Sequence, residues 1–371
     1  MMLSAGNGFI MQSEKYSRDN AGQSLKKYIL LKQGELAYNH GASKAKQFGC
    51  CYELTEPEAR IPYVYHCFKI NDHEYTPFIA MALNNAKMDK QLKRLVSSSV
   101  RMDGLLNISF EDYMSVTLHL PSSTEQKHIA DFLKKIDDRI AAQEKLLASL
   151  KKYKRGLSNS LFDRLSAGSE SRLCIFGDMM TILQNNTFSR DNLSVGGNGV
   201  RNIHYGDVLI KYGAVLDLHS ENVPVINAEQ DISKFSALSY LRNGDVVFAD
   251  TAEDYTVGKS TEIIGAENIA ALSGLHTIPC RPQDSFAPMY LGYYFNSDYF
   301  KKQLYPMIQG TKVSSISKSE IIKTKIIVPC LQEQARIASI MSALDDRIDA
   351  AKHTTKDLID LRSGLLQQLF I

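Results

Sequence analysis

The feature that most constrains this chain is a duplication. Residues 121–162 and 329–370 align without a gap at a constant offset of 208. Pro121, Glu125, Gln126, Ile129, Ala130, Asp137, Asp138, Arg139, Ile140, Leu150, Gly156, Leu157, Leu161 and Phe162 all recur identically in the second copy. Self-similarity of that length reads as one structural unit used twice.

Each copy carries apolar residues at alternating spacings of four and three. The first seam is Ile129, Leu133, Ile136, Ile140, Gln143, Leu147, Leu150, Lys154, Leu157 and Leu161. The second is Ile337, Met341, Leu344, Ile348, Ala351, Thr355, Leu358, Arg362, Leu365 and Leu369. A 3.5-residue period is the coiled-coil signature. About 38 helical residues would span roughly 57 Å. The seam weakens at Gln143, Lys154, Ala351 and Arg362. Two matched seams of equal length can bury each other, and an antiparallel pair is expected, with two amphipathic helices lying on their own domains as the alternative. Each helix follows a proline that closes an apolar strand-like run, Val116–Leu120 and Ile326–Val328.

The repeat extends upstream. Tyr28–Tyr38 resembles Leu238–Phe248, with Gly34 matched to Gly244. Pro77–Leu92 resembles Pro288–Leu304, aligning Asn85 with Asn296 and Gln91 with Gln303; Ser109 then matches Ser317. The expected fold is therefore α/β (α+β): two mixed domains, 1–120 and 166–328, each followed by a long helix, 121–165 and 329–371. The first domain is shorter by roughly forty residues at its front. Nothing in it matches Leu173–Asp178 and the stretch to about Ile210, so it is expected to lack that part.

With 44% hydrophobic and 23% charged residues the chain is of ordinary globular composition. A net charge of +2 makes any nucleic-acid surface local. No apolar run is long enough to span a bilayer, and the first ten residues form no signal peptide. Six cysteines without a C-x-x-C pair read as reduced core thiols of a cytoplasmic protein, and nine scattered histidines give no zinc pattern. No phosphate-binding loop or amino-methyltransferase motif is present, so no catalytic residue, metal or cofactor is expected. Asp245, Asp250, Glu253 and Asp254 read as a solvated loop or as hydrogen-bond acceptors. Lys151–Arg155 is a basic run that faces phosphates, a partner or solvent.

The twice-used pattern of Pro121, Glu125-Gln126, Ile129-Ala130, Asp137-Asp138-Arg139-Ile140, Gly156-Leu157 and Leu161-Phe162 resembles the two conserved regions of type I restriction–modification specificity subunits. Gly34–Lys44 and Gly244–Asp254 resemble parts of that family's target-recognition domains. The resemblance implies that each such domain reads one half of a split sequence on double-stranded DNA. It also implies paired helices that set the gap and dock methyltransferase subunits, with restriction–translocase subunits completing the complex. The shortened first domain departs from the pattern, so a truncated or inactive subunit is one alternative. A coiled-coil interaction protein without DNA binding is another.

DNA reading needs Lys and Arg for phosphates and polar side chains on loops for base edges. The candidates in the first domain are Lys15, Arg18, Asn39, Ser43, Lys44 and Arg101. Those in the second are Arg190, Thr251, Lys259, Gln309, Thr311 and Lys312. Ser97–Arg101 and Gln309–Lys312 sit at equivalent repeat positions, just before the final strand.

Overall fold

The computed structural model describes all residues except 5–7, 12, 14–26, 44–45, 97–105, 170, 220–221, 255, 311–312 and 371. The chain divides into two units. Unit 1 is Met1–Lys145 with Lys352–Ile371, and unit 2 is Leu146–Ala351.

In unit 1, β1 (Met2–Ser4) pairs antiparallel with β2 (Gly8–Ile10), and β3 (Ile29–Lys32) with β6 (Glu58–Ile61). The central strand β4 (Leu36–Asn39) lies between β5 (Cys50–Glu53) and β7 (His66–Phe68), with Tyr38 opposite Cys51 and His66. Helices α1 (Thr76–Ala82), α2 (Ala86–Leu95) and α3 (Phe110–Met114) follow, then the long α4 (Ser123–Ala167), which belongs to unit 1 as far as Lys145 and to unit 2 from Leu146.

Unit 2 is richer. It opens with β8 (Arg172–Ile175), the short α5 (Phe176–Met179) and β9 (Met180–Ile182). One sheet has the order β10 (Leu193–Ser194), β13 (Val225–Ile226), β11 (Arg201–Ile203), β17 (Ala271–Ser273). A larger one runs β12 (Val215–Asp217), β16 (Ser260–Ile264), β14 (Val246–Ala249), β18 (Thr277–Pro282), β9. Two pairs complete the strands: β15 (Thr251–Ala252) with β19 (Ser314–Ser315), and β20 (Lys325–Val328) with β8. The helices are α6 (Tyr205–Ile210), α7 (Tyr290–Phe295), α8 (Asp298–Leu304), α9 (Lys318–Ile321) and the long α10 (Leu331–Leu369), which belongs to unit 2 as far as Ala351 and to unit 1 from Lys352. Its core is aromatic: Phe248, Phe295 and Phe300 are fully buried, with ring centroids of Phe295 and Phe300 4.7 Å apart.

The duplication persists at the level of single hydrogen bonds. The Gln126 amide donates to the Pro121 carbonyl at 2.9 Å and accepts from the Tyr75 N–H at 3.0 Å. Gln334 does the same with Pro329 at 2.8 Å and Ala287 at 2.9 Å. Each glutamine thus ties the start of its long helix to the segment just before a short helix, α1 in unit 1 and α7 in unit 2. Gln91 takes both the N–H and the carbonyl of Thr117, as Gln303 takes those of Lys325. Gly34 and Gly244 turn at φ +83° and +84°, a conformation that suits glycine. The carboxylate that follows each glycine, Glu35 or Asp245, closes its turn by accepting from the Lys32 or Arg242 N–H. One alignment needs correction. Asn84, not Asn85, is the counterpart of Asn296. Asn84 bonds the backbone of Cys51 and the Ala80 carbonyl four residues back, as Asn296 bonds Ser260 and Gly292. Asn85 instead caps α2 through the Lys87 and Met88 N–H groups.

Along α4 every seam position is buried or half-buried, while most intervening positions are exposed. Along α10 the same holds except at Leu369, which is 37% exposed; the neighbouring Phe370 packs on Phe78 at 5.1 Å instead. The two basic residues that interrupt the seams are both paired. In unit 2 Lys154 meets Asp345, and in unit 1 Arg362 meets Asp137. Asp137 and Asp345 are the same position of the repeat, as are Lys154 and Arg362. The basic run is partly absorbed in this way, since Arg155 also donates to Asp298 at 2.6 Å. Three of the six cysteines are buried and two half-buried, but Cys330 is exposed and so is no core thiol. No described helix is long and apolar enough to cross a membrane.

Candidate nucleic-acid interface

Unit 2 gathers loops distant in sequence around one polar surface. Its floor is a buried asparagine pair. Asn186 donates to the Asn202 side chain at 2.6 Å, accepts from the Phe188 N–H at 3.1 Å, and donates its own N–H to the Ser273 carbonyl at 2.8 Å. The Gly274 N–H donates to the Ile203 carbonyl at 2.9 Å. These bonds hold the 186–190 loop, the end of β11 and the 273–277 turn together.

Above that floor, Arg190 donates to Asp207 at 2.7 Å and contacts His204 Nδ1 at 3.2 Å. The Gly206 N–H also donates to His204 Nδ1 at 3.2 Å. Two donors on one ring nitrogen require the neutral ring with its proton on Nε2. Burial, then the Arg190 charge, push His204 below the usual histidine range, which agrees. Burial raises the Asp207 carboxyl, but bonds from Arg190 and from Lys211 at 2.9 Å outweigh it and leave Asp207 below the carboxylate range. Two cations against one carboxylate leave this corner net positive, and Arg190 and Lys211 are 47% and 57% exposed. A phosphate would meet unspent donors here.

From His204 the surface continues through aromatic rings. His204 lies 4.7 Å from Tyr205, and Tyr205 meets His276 edge-on at 5.3 Å. His276 adopts φ +54°, uncommon for a residue with a side chain. Its Nδ1 lies 3.5 Å from the Thr251 hydroxyl and from Asp250. Thr251 pairs across β15–β19 with Ser315, which exchanges two backbone bonds with Gln309, at 2.8 and 3.0 Å.

Three sequence-derived candidates, Arg190, Thr251 and Gln309, are therefore brought together. Thr311 and Lys312 lie outside the described residues. Lys259 is not at this surface in the same sense: its amine donates to the Leu209 carbonyl at 2.9 Å, and burial, then Lys301, lower its pKa. His204, Tyr205 and His276 were not among the candidates. A His-Tyr pair and an isolated His between two apolar runs give little signal in a sequence. Of the acidic residues read as a loop, Asp245 is corrected: it is buried, held by Arg281 at 2.6 and 2.9 Å, and burial raises its pKa in spite of that pairing.

In unit 1, Asn39 turns back on its own loop, accepting from the Gly41 N–H at 3.0 Å. Ser43 is exposed and accepts from the Lys46 N–H at 3.1 Å. Lys15, Arg18, Lys44 and Arg101 lie outside the described residues. Among the described residues no three His, Cys, Asp or Glu side chains are grouped to hold a metal.

The chain is 22% identical over 298 residues to the type I restriction enzyme MjaVIII specificity subunit of Methanocaldococcus jannaschii, covering 76% of this chain and 67% of that protein. Its fold resembles a solved structure of a type I R-M system described for complex assembly and conformational transition, with TM-score 0.57, 18% identity, and 92% and 82% of the two chains covered. It also resembles the type I restriction–modification S subunit from M. genitalium, with TM-score 0.52, 15% identity, and 92% and 83% covered. A family model described as the type I restriction modification DNA specificity domain matches residues 19–152 and 177–360, most of both units, and the chain belongs to that family.

Proposed function

We propose that this chain is the non-catalytic subunit that chooses the target sequence for a type I restriction–modification complex. Each unit reads one half of a split site on double-stranded DNA. The observation that carries this reading is the repetition of one hydrogen-bonded framework, Gln126 with Gln334, Gln91 with Gln303 and Asn84 with Asn296, beneath loops that differ between the units. A shared framework with unlike loops suits the reading of two unlike half-sites.

In unit 2 the reading surface is Arg190, Tyr205, His276, Thr251 and Gln309, extended by Thr311 and Lys312. Arg190 holds phosphate, and the Thr and Gln side chains face base edges. Lys259 supports this surface by fixing α6 to the start of β16. In unit 1 the loops carrying Lys15, Arg18, Asn39, Ser43, Lys44 and Arg101 do the same work. The boundaries of the reading domains are 1–120 and 166–328, with spacers at 121–165 and 329–371.

The long helices pair antiparallel as a coiled coil. Contacts within each unit favour this. In unit 2 Lys154 meets Asp345, while Leu161 and Phe162 share a core with Ile337 and Ala338. In unit 1 Arg362 meets Asp137, while Phe370 packs into the cluster that holds Ala130. The spacer fixes the gap between half-sites and docks methyltransferase subunits, to which restriction–translocase subunits add. The complex works in the cytoplasm, where its DNA is.

The test is a titration of the full chain with duplex DNA over a range of salt concentrations. Phosphate contacts make log affinity fall linearly with log salt, with a slope near −0.9 per phosphate neutralised. A slope of several units is expected. An interaction protein without a DNA role would show no binding even at low salt.

A further inference from the structure

The two histidines of the unit 2 surface hold their protons on opposite nitrogens. His204 accepts at Nδ1, so its proton is on Nε2. Around His276 the neighbours dictate the reverse. Its Nδ1 lies 3.5 Å from Asp250 Oδ1 and 3.5 Å from the Thr251 hydroxyl. A carboxylate only accepts, and the Thr251 hydroxyl already donates its proton to Asp250 Oδ1 at 2.8 Å. Both neighbours therefore offer Nδ1 nothing but lone pairs, and the neutral ring carries its proton there. Nε2 is left as an acceptor. Among the described residues no hydrogen bond reaches it, and the side chain is 47% exposed.

The ring is also held in place. The Asp250 N–H donates to the His276 carbonyl at 3.1 Å, and Tyr205 meets the ring edge-on. The shared framework does not require this group. Tyr38 pairs with His66 as Phe248 pairs with Ile278. Carried two residues further, that register puts His40 in the place of Asp250, Gly41 near that of Thr251, and Val64 in that of His276. Unit 1 thus has no counterpart of the arrangement. A left-handed histidine present in one unit alone belongs with what differs between two half-sites.

Bases present few donors in the major groove. They are the exocyclic amines, adenine N6 and cytosine N4, whereas guanine O6 and thymine O4 are acceptors. Resting on the reading of unit 2 as a DNA-reading surface, we propose that His276 Nε2 accepts from the exocyclic amine of one adenine or cytosine and so excludes guanine and thymine there. Asp250 is the positioning residue that fixes the tautomer. Facing acceptors would repel, so the discrimination comes from rejection as much as from attraction.

The experiment selects duplexes from a randomised library with the full chain. One position of one half-site should be confined to adenine or cytosine. Replacing that base by unsubstituted purine or by 2-pyrimidinone, which lack the amine, should weaken binding about tenfold and tells which of the two is read. His276→Asn, which tolerates the left-handed backbone, should relax that position and no other. Nitrogen-15 shifts of the His276 ring should place its proton on Nδ1, and Asp250→Asn should lower that fraction and the discrimination together. The proposal is overturned by a proton on Nε2 in the unaltered chain, by affinity indifferent to the amine, or by an unchanged motif in His276→Asn. Those results would leave salt-dependent duplex binding intact, whereas no binding to any duplex would remove the reading of unit 2 and this proposal with it.

Discussion

Arg190 shows how much one side chain organises. Its guanidinium spans Asp207 and His204 and still leaves donors facing outward. Arg190→Ala should weaken duplex binding about equally for all sequences and lower the salt slope by about 1, the loss of one phosphate contact. Arg190→Lys keeps the charge but loses the fork, so it should recover part of the loss. An affinity unchanged in Arg190→Ala would remove this residue from the interface. The sequence marks Arg190 through its charge and its loop. It does not mark His276, whose role depends on a left-handed backbone and on Tyr205 reached across seventy-one positions of chain. Nor does it reveal that Lys259 spends its amine on a backbone carbonyl.

At the scale of elements the long helices were legible, because their signal is periodic and local. The weak points of the seams have a physical meaning that periodicity alone cannot supply. Lys154 and Arg362 interrupt an apolar stripe, and each finds the first aspartate of the repeated Asp-Asp-Arg-Ile motif. A polar pair in an otherwise apolar seam specifies register more than it adds stability. Stability comes from residues such as Leu344 and Ile348, 7% and 5% exposed. Replacing both by Asp, written Leu344→Asp with Ile348→Asp, buries two carboxylates without partners. The cost should exceed about 4 kcal/mol. A melt followed by circular dichroism should show unit 2 losing its cooperative transition. A native-like melt in that variant would mean the seam is not a buried interface.

For the molecule as a whole, the repeat is visible in sequence where it is gapless and blurred where it is not. The offset is 208 in the helices but 212 between Asn84 and Asn296 or Gln91 and Gln303. Small insertions in loops account for the drift, and one residue of drift is enough to match Asn85 to the wrong partner. The hydrogen-bond fixtures recover the true alignment because an amide that grips both the N–H and the carbonyl of one residue cannot slip by one. Loop conformations, and so the DNA sequence read, are set by packing between segments far apart in the chain, which no local pattern encodes.

The most direct test of the account is a genome-wide methylation map of cells that co-express this chain with a methyltransferase subunit of its system. The account predicts a split motif with two unlike halves, and predicts that Arg190→Ala, which removes a phosphate contact, lowers the extent of methylation without changing the motif. Methylation without a motif that depends on this chain would contradict it.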